Sequence, residues 1–243
     1  MNAIKNLLTL GPAFGLGGAK LNQLRALEVE LGDRVLEEGC AMGFVIGNVN
    51  AKEKHGIDIE PKSLEYAQRT YPDVAFSVKP AGDSGFQDCF FDSILCLDVM
   101  EHVQGDIRLL DEAKRMLKPG GRLVISTPIK GANLLPYAGL LTEKLHKAWG
   151  HVRVYGKKEL HDLLTSRGFS VVKTREHAYL LTRLVFYAYL KASEMKLKKS
   201  GLAWVESRLV KAIERLIMLT DALEAYVRVG KPFQMFVVAV KPR

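Results

Sequence analysis

The residues of this chain best suited to chemistry begin where an apolar run meets an acid and then glycines, in Val35-Leu-Glu37-Glu-Gly39-Cys-Ala41-Met-Gly43. Glycines permit a tight turn and let a backbone approach a bound ligand closely. The acid beside them narrows the ligand class. Glu37 would repel a pyrophosphate and attract a cation, so the loop favours a cationic, phosphate-free ligand over a dinucleotide. Beyond it, Gly56-Ile-Asp58-Ile59-Glu60-Pro61 brings a second acid to a strand tip, where a carboxylate can accept from both hydroxyls of a ribose. Asp58 or Glu60 can also serve as the N-cap of the helix that Pro61 opens.

Two histidines stand near these acids in pattern. His102 closes the run Asp98-Val-Met-Glu101-His102, and His151 lies in Gly150-His-Val-Arg153-Val-Tyr155. Histidine is the natural proton acceptor near neutral pH, so both are candidates to activate an acceptor hydroxyl. Each can equally be a side chain that hydrogen-bonds its own loop. His146 falls on an expected helix and has the weaker claim.

These residues need a scaffold that lines up strand tips. From residue 34 onward, apolar β-rich runs alternate with helical stretches, the pattern of a parallel sheet covered on both faces. Strands are expected at Arg34–Glu38, His55–Ile59, Val74–Val78, Phe91–Leu97, Arg122–Thr127, Phe169–Thr174 and Gln234–Val240. Helices are expected at Pro61–Thr70, at Gly105–Leu117 before the Pro119-Gly120-Gly121 stop, at Leu134–Ala148, and at Lys157–Arg167 before Gly168. The resulting fold class is a doubly wound α/β domain with a seven-stranded, mostly parallel sheet whose last strand is antiparallel. We treat residues 1–243 as a single domain carrying a helical insertion at 178–229, between strands six and seven.

The insertion has two parts. Tyr179 to Leu190 is almost wholly apolar, and Leu202, Val205, Leu209, Ile213, Leu216, Thr220, Leu223 and Val227 recur at helical spacing. The second part therefore reads as an amphipathic helix whose apolar stripe adds a core layer, closes a lid or rests on a bilayer. Lys191, Lys196, Lys198 and Lys199 cluster between the two parts.

Charge divides the chain. Residues 1–140 carry 15 Lys+Arg against 18 Asp+Glu, and residues 141–243 carry 20 against 9, so the basic half is the one with the insertion. That half favours anionic surfaces. The three cysteines, Cys40, Cys89 and Cys96, form no CxxC pair, which points to a reduced, cytoplasmic location. The apolar start before Gly11-Pro12 is too short for a signal or a spanning segment.

Taken together, the motifs resemble the class I S-adenosylmethionine-dependent methyltransferases, over residues 33 to 177 and again over the final strand. Glu37-Glu-Gly39-Cys-Ala41-Met-Gly43 is similar to the family's cofactor loop, and Gly56-Ile-Asp58 to its ribose-binding strand end. Gly82-Asp83 resembles the acid that accepts from the adenine amino group. Phe91 to Val103 resembles the fourth strand with its Glu-His continuation, and Leu117-Lys-Pro-Gly-Gly-Arg-Leu-Val-Ile-Ser126 the turn into strand five. The resemblance implies S-adenosylmethionine as cofactor and S-adenosylhomocysteine as product. It assigns cofactor contacts to Glu37, Gly39, Ala41, Gly43, Asp58, Ile59, Asp83 and Leu97. Glu101, His102 and His151 become the catalytic candidates. Asp98-x-x-Glu101-His102 also resembles the run with which ubiquinone-pathway O-methyltransferases hold a divalent metal, although the same Glu-His pair helps close the cofactor pocket in relatives without metal. Both roles stay open at this point.

One departure stands out. Ala41 occupies the place of the family's middle glycine, and its methyl group would be strained if the position needs positive φ. The expected acceptor is a small, lipophilic molecule methylated on oxygen, with peripheral contact to the inner face of the membrane. A nucleic-acid substrate is disfavoured, because no Asn/Asp-Pro-Pro-aromatic motif follows strand four and no basic patch is rich in aromatics. The competing readings are an RNA or protein methyltransferase and a scaffold that keeps the fold without catalysis.

Overall fold

A computed structural model describes residues 17–131, 150–178, 181, 182, 184, 185, 208–224, 226, 227 and 230–243. The expected helix Leu134–Ala148 with His146, the lysine cluster and most of Tyr179–Leu190 lie outside these residues.

The described elements run α1 (Gly17–Ala26), β1 (Arg34–Glu38), α2 (Phe44–Asn48), β2 (Glu53–Asp58), α3 (Pro61–Thr70), β3 (Ala75–Val78) and β4 (Phe91–Leu97). A 3-10 turn at Met100–His102 follows, then α4 (Asp106–Met116), β5 (Leu117–Pro128), α5 (Lys157–Ser166), β6 (Ser170–His177), α6 (Arg208–Glu224) and β7 (Gln234–Val240). The seven strands form one sheet in the order β3-β2-β1-β4-β5-β7-β6. β1 pairs in parallel with β2 and β4, and β7 lies antiparallel between β5 and β6. The chain therefore reverses its winding beside β1, and in open α/β sheets ligands bind at such a switch point, outside the carboxyl ends of the strands.

Both faces of the sheet are covered, which is why β1, β4 and β7 are buried along nearly their whole length. One core packs Leu36, Ile94, Ile125 and Val237 against Leu109, Leu110 and Met116 of α4 and Leu160 and Leu164 of α5. The other packs Val35, Leu95, Leu97 and Phe236 against Leu21 and Leu24 of α1 and Val45 and Ile46 of α2. The Lys118-Pro119-Gly120-Gly121 turn is absorbed as an irregularity in β5, whose pairing with β4 jumps from Phe91–Leu117 to Ser93–Arg122.

Two expectations need correction. The sixth strand continues past Thr174 to His177, because β7 supplies partners as far as Gln234. The amphipathic stripe expected on α6 does not form a continuous core layer: its Leu216 and Leu223 are 47% and 58% exposed, Ile213 is half-buried and, among its described residues, only Thr220 is buried. Turned inward are Ile217 and three polar residues, Thr220, Asp221 and Glu224. The reason is a polar seam. Asp221 accepts from Gln23 of α1, from His177 Nδ1 at 3.1 Å and from the Ala178 N–H, while Glu224 accepts from the backbone N–H groups of Leu181 and Thr182. Burial of those carboxylates is tolerable only with such partners, and meeting them fixes the helix with its leucines outward.

Candidate active site

The loop that follows β1 is set by backbone geometry. Gly39, Ala41 and Gly43 have φ of 66°, 46° and 74°, so the three alternate positions are all left-handed. A side chain at Gly39 would strike Val99 and one at Gly43 would strike Phe76, so glycine is required there twice over. Ala41 has no such excuse, and its left-handed backbone costs about 1–2 kcal/mol relative to glycine. Its N–H is nevertheless used: it donates to Asp58 Oδ2 at 2.8 Å, while Asp58 Oδ1 accepts from the Glu60 N–H at 2.9 Å. Asp58 thus ties the tip of β2 to the loop after β1. Capping of α3 falls to Glu60, which accepts from the Lys62 N–H. Ile59, the next residue, is 73% exposed beside this carboxylate.

The two acids that end β1 point to opposite faces, as strand alternation demands. Glu37 lies on the α1/α2 face, is 4% exposed and accepts from the Ile46 N–H in the first turn of α2 at 2.9 Å. Burial pushes its carboxyl up to about 8, against the pull of Lys20 and the Ile46 N–H. Glu38 lies on the α4 face, fully buried, and accepts from the Gly82 N–H at 3.2 Å. Burial pushes it up to about 7. Glu38 therefore anchors the loop that carries Asp83. Asp83 itself is exposed and paired with Arg108 at 2.6 Å.

At the tip of β4 sits a residue that motif reading overlooked. Lys20 of α1 donates from Nζ to the Leu97 carbonyl at 2.9 Å and pairs with Asp98 at 3.1 Å. Asp98 adopts φ 57°, and its carboxylate also accepts from Ser126 at 2.7 Å and from the Gln234 amide at 3.3 Å. Burial opposes its charge, but Lys20 and Ser126 outweigh burial and hold Asp98 below the usual carboxylate range.

Glu101 is 1% exposed, and its Oε2 has no hydrogen-bond partner among the described residues. Burial, with Asp98 nearby, pushes its carboxyl up to about 8. The Glu101 carbonyl accepts from the Val152 N–H at 2.8 Å, which brings the loop of His151 onto the 3-10 turn. Arg153 and Tyr155 secure that loop, both bonding to Asp106 at the start of α4. As a result the rings of His102 and His151 meet edge to face, 4.7 Å between centroids, with His102 Nδ1 donating to the Gly150 carbonyl. The three catalytic candidates thus converge: ligand-capable atoms of Glu101, His102 and His151 lie within 4.8 Å of one another. The metal set implied by resemblance fits only in part, because Asp98 is taken up by Lys20, and His151 stands in the third place.

A methyltransferase-domain family model matches residues 36–125, the span from β1 to β5. A probable S-adenosylmethionine-dependent methyltransferase of Mycolicibacterium smegmatis is 28% identical over 146 residues, 59% of this chain and 54% of that protein. A ubiquinone biosynthesis O-methyltransferase of Paracidovorax citrulli is 26% identical over 186 residues, 69% of this chain and 76% of that protein. The chain spans about half the length of the first curated relatives it matches, 54% and 50%. Among solved structures, the [4+2]-cyclase SpnF superposes with a TM-score of 0.62 at 21% identity, covering 92% of this chain and 81% of that one.

Proposed function

We propose that this chain is a class I S-adenosylmethionine-dependent methyltransferase that transfers a methyl group to the oxygen of a small lipophilic acceptor. The observation that carries the reading is the pairing of a buried Glu37 with a loop clamped by Asp58, at neighbouring tips of a parallel sheet. When bound, the cofactor supplies a methyl group already activated by its positive sulfur. The chain's own work is to hold, align and keep dry. Glu37 offers negative charge to the cationic end. Asp58 keeps lone pairs for the ribose while shaping the loop. Glu101, His102 and His151, gathered within 4.8 Å of one another, are the groups we assign to receive the proton that leaves an acceptor hydroxyl. A divalent ion would be held by the same three side chains, and equilibrium dialysis against Mg²⁺ or Zn²⁺ with Glu101→Gln as control decides whether one binds.

Isothermal titration with S-adenosylmethionine tests the core of the proposal. Micromolar binding is expected, and no detectable heat would leave the scaffold reading, which the strained Ala41 favours. The acceptor class rests on the names of low-identity relatives and on the outward apolar face of α6. Tyr226, Val227, Leu181 and Leu184 are exposed apolar residues of the same insertion. Within residues 141–243, where Lys+Arg outnumber Asp+Glu by 20 to 9, the α6 face suits an anionic bilayer surface. Among the described residues no helix is long and apolar enough to cross a membrane. Of the two roles open to insertion 178–229, lid or docking element, the exposed apolar residues favour docking. Flotation with phosphatidylglycerol vesicles should recover the native chain and lose a Leu216→Glu, Leu223→Glu variant; equal recovery dismisses the contact.

A further inference from the structure

The strand tips that face the cationic end of the cofactor already hold a cation. Lys20 reaches them from α1, an element outside the matched family span, with its ammonium 2.9 Å from the Leu97 carbonyl and 3.1 Å from Asp98. Glu37 and Glu101 lie close enough to raise its pKa, together with Asp98 and against the effect of burial. The side chain is 19% exposed, so its stem has a path to solvent.

Two positive charges compete poorly for one set of carboxylates in a dry site. The methyl donor brings a sulfonium. During transfer the carbon–sulfur bond breaks with its electron pair remaining on sulfur, a carbon–oxygen bond forms to the acceptor, and the acceptor's proton passes to the base. The product is a neutral thioether. Donor and product share the adenosine, carboxylate and ammonium groups, so the charge on sulfur is the principal difference an ionic site can sense.

We infer that Lys20 is a specificity-determining residue: it occupies the cation position at the tips of β1 and β4 when sulfur is neutral, and leaves it when the sulfonium arrives. The inference rests on the methyltransferase reading above. Lys20 then sets the balance between donor and product, because its return offsets the charge lost from sulfur.

Titration of the native chain, Lys20→Met and Lys20→Arg with S-adenosylmethionine and S-adenosylhomocysteine tests this. Removing the ammonium should raise the ratio of donor to product affinity by about fivefold or more, whereas arginine should keep the native ratio. An unchanged ratio, or a fall in both affinities together as expected of a lysine that grips the shared carboxylate, overturns the inference. A second readout needs no variant: acetic anhydride labelling of Lys20, followed by peptide mass spectrometry, should speed up with the donor and not with the product. Equal protection by both overturns it as well. If the native chain binds neither ligand, the cofactor reading itself falls; if it binds both and Lys20 responds to neither, only the lysine's role is lost.

Discussion

Glu37 and Asp58 receive their backbone donors from residues 9 and 17 positions away, whereas Asp221 gathers His177 and Gln23 from 44 and 198 positions away. The first arrangement is a loop closing on itself at the tips of β1 and β2. The second is a seam that stitches the insertion to the end of β6 and to the first described helix. A site made of short-range bonds is preorganised once its strands pair, while a seam made of long-range bonds holds only as long as all its members are present. The cofactor end should therefore lose binding when cut, and the insertion end should lose stability.

The largest expected effect tests the second half of that contrast. Asp221→Ala removes a buried carboxylate with three donors and should destabilise the fold by about 3 kcal/mol, lowering Tm by roughly 6–12 °C in a calorimetric scan. Cofactor affinity in the folded fraction should hold; if it collapses with stability, the two regions are not separable. Asp58→Ala is the counterpart. It should weaken S-adenosylmethionine binding by about 2–3 kcal/mol through lost ribose and loop bonds, with a smaller change in Tm. Unchanged affinity by titration calorimetry would remove Asp58 from the site.

A pH series sharpens the first half. Glu37 titrates near 8 in the fold, above its ordinary carboxylate value of 4.5. Folding thus favours its protonated form, and this contribution to stability is complete below the unfolded value and declines as pH rises towards 8. Binding of a cationic ligand favours the ionised form. Donor affinity should rise with pH up to about 8 and level off above, with proton release visible as heats that differ between buffers of unlike ionisation enthalpy. A flat profile would mean that Glu37 does not meet the positive charge. The smallest effect concerns Ala41, where Ala41→Gly should relieve left-handed strain and stabilise the chain by about 1 kcal/mol, read as a Tm rise of about 2–4 °C.

The same contrast governs what the sequence made legible. The fold class, the loop acids and the adjacency of Glu101 and His102 follow from contiguous motifs, because neighbouring residues on a parallel strand end are neighbours in space. Glu38 was within reach too: in a strand covered on both faces, alternation buries Glu37 on one side and Glu38 on the other. Lys20 was not, since a lone lysine on a short helix carries no pattern that names its partner. Nor was the turn of α6, because periodicity locates an apolar stripe without saying which way it faces.

Lys20 and Gln23 stand three residues apart on α1, one touching Asp98 at the donor end and the other Asp221 beneath the insertion. The helix between them is a stiff rod that fixes the two backbone positions. Each bond is made by a flexible side chain on that rod, so the lysine can let go of Asp98 while the glutamine keeps hold of Asp221, and one turn of helix serves two neighbours without obliging either to follow the other.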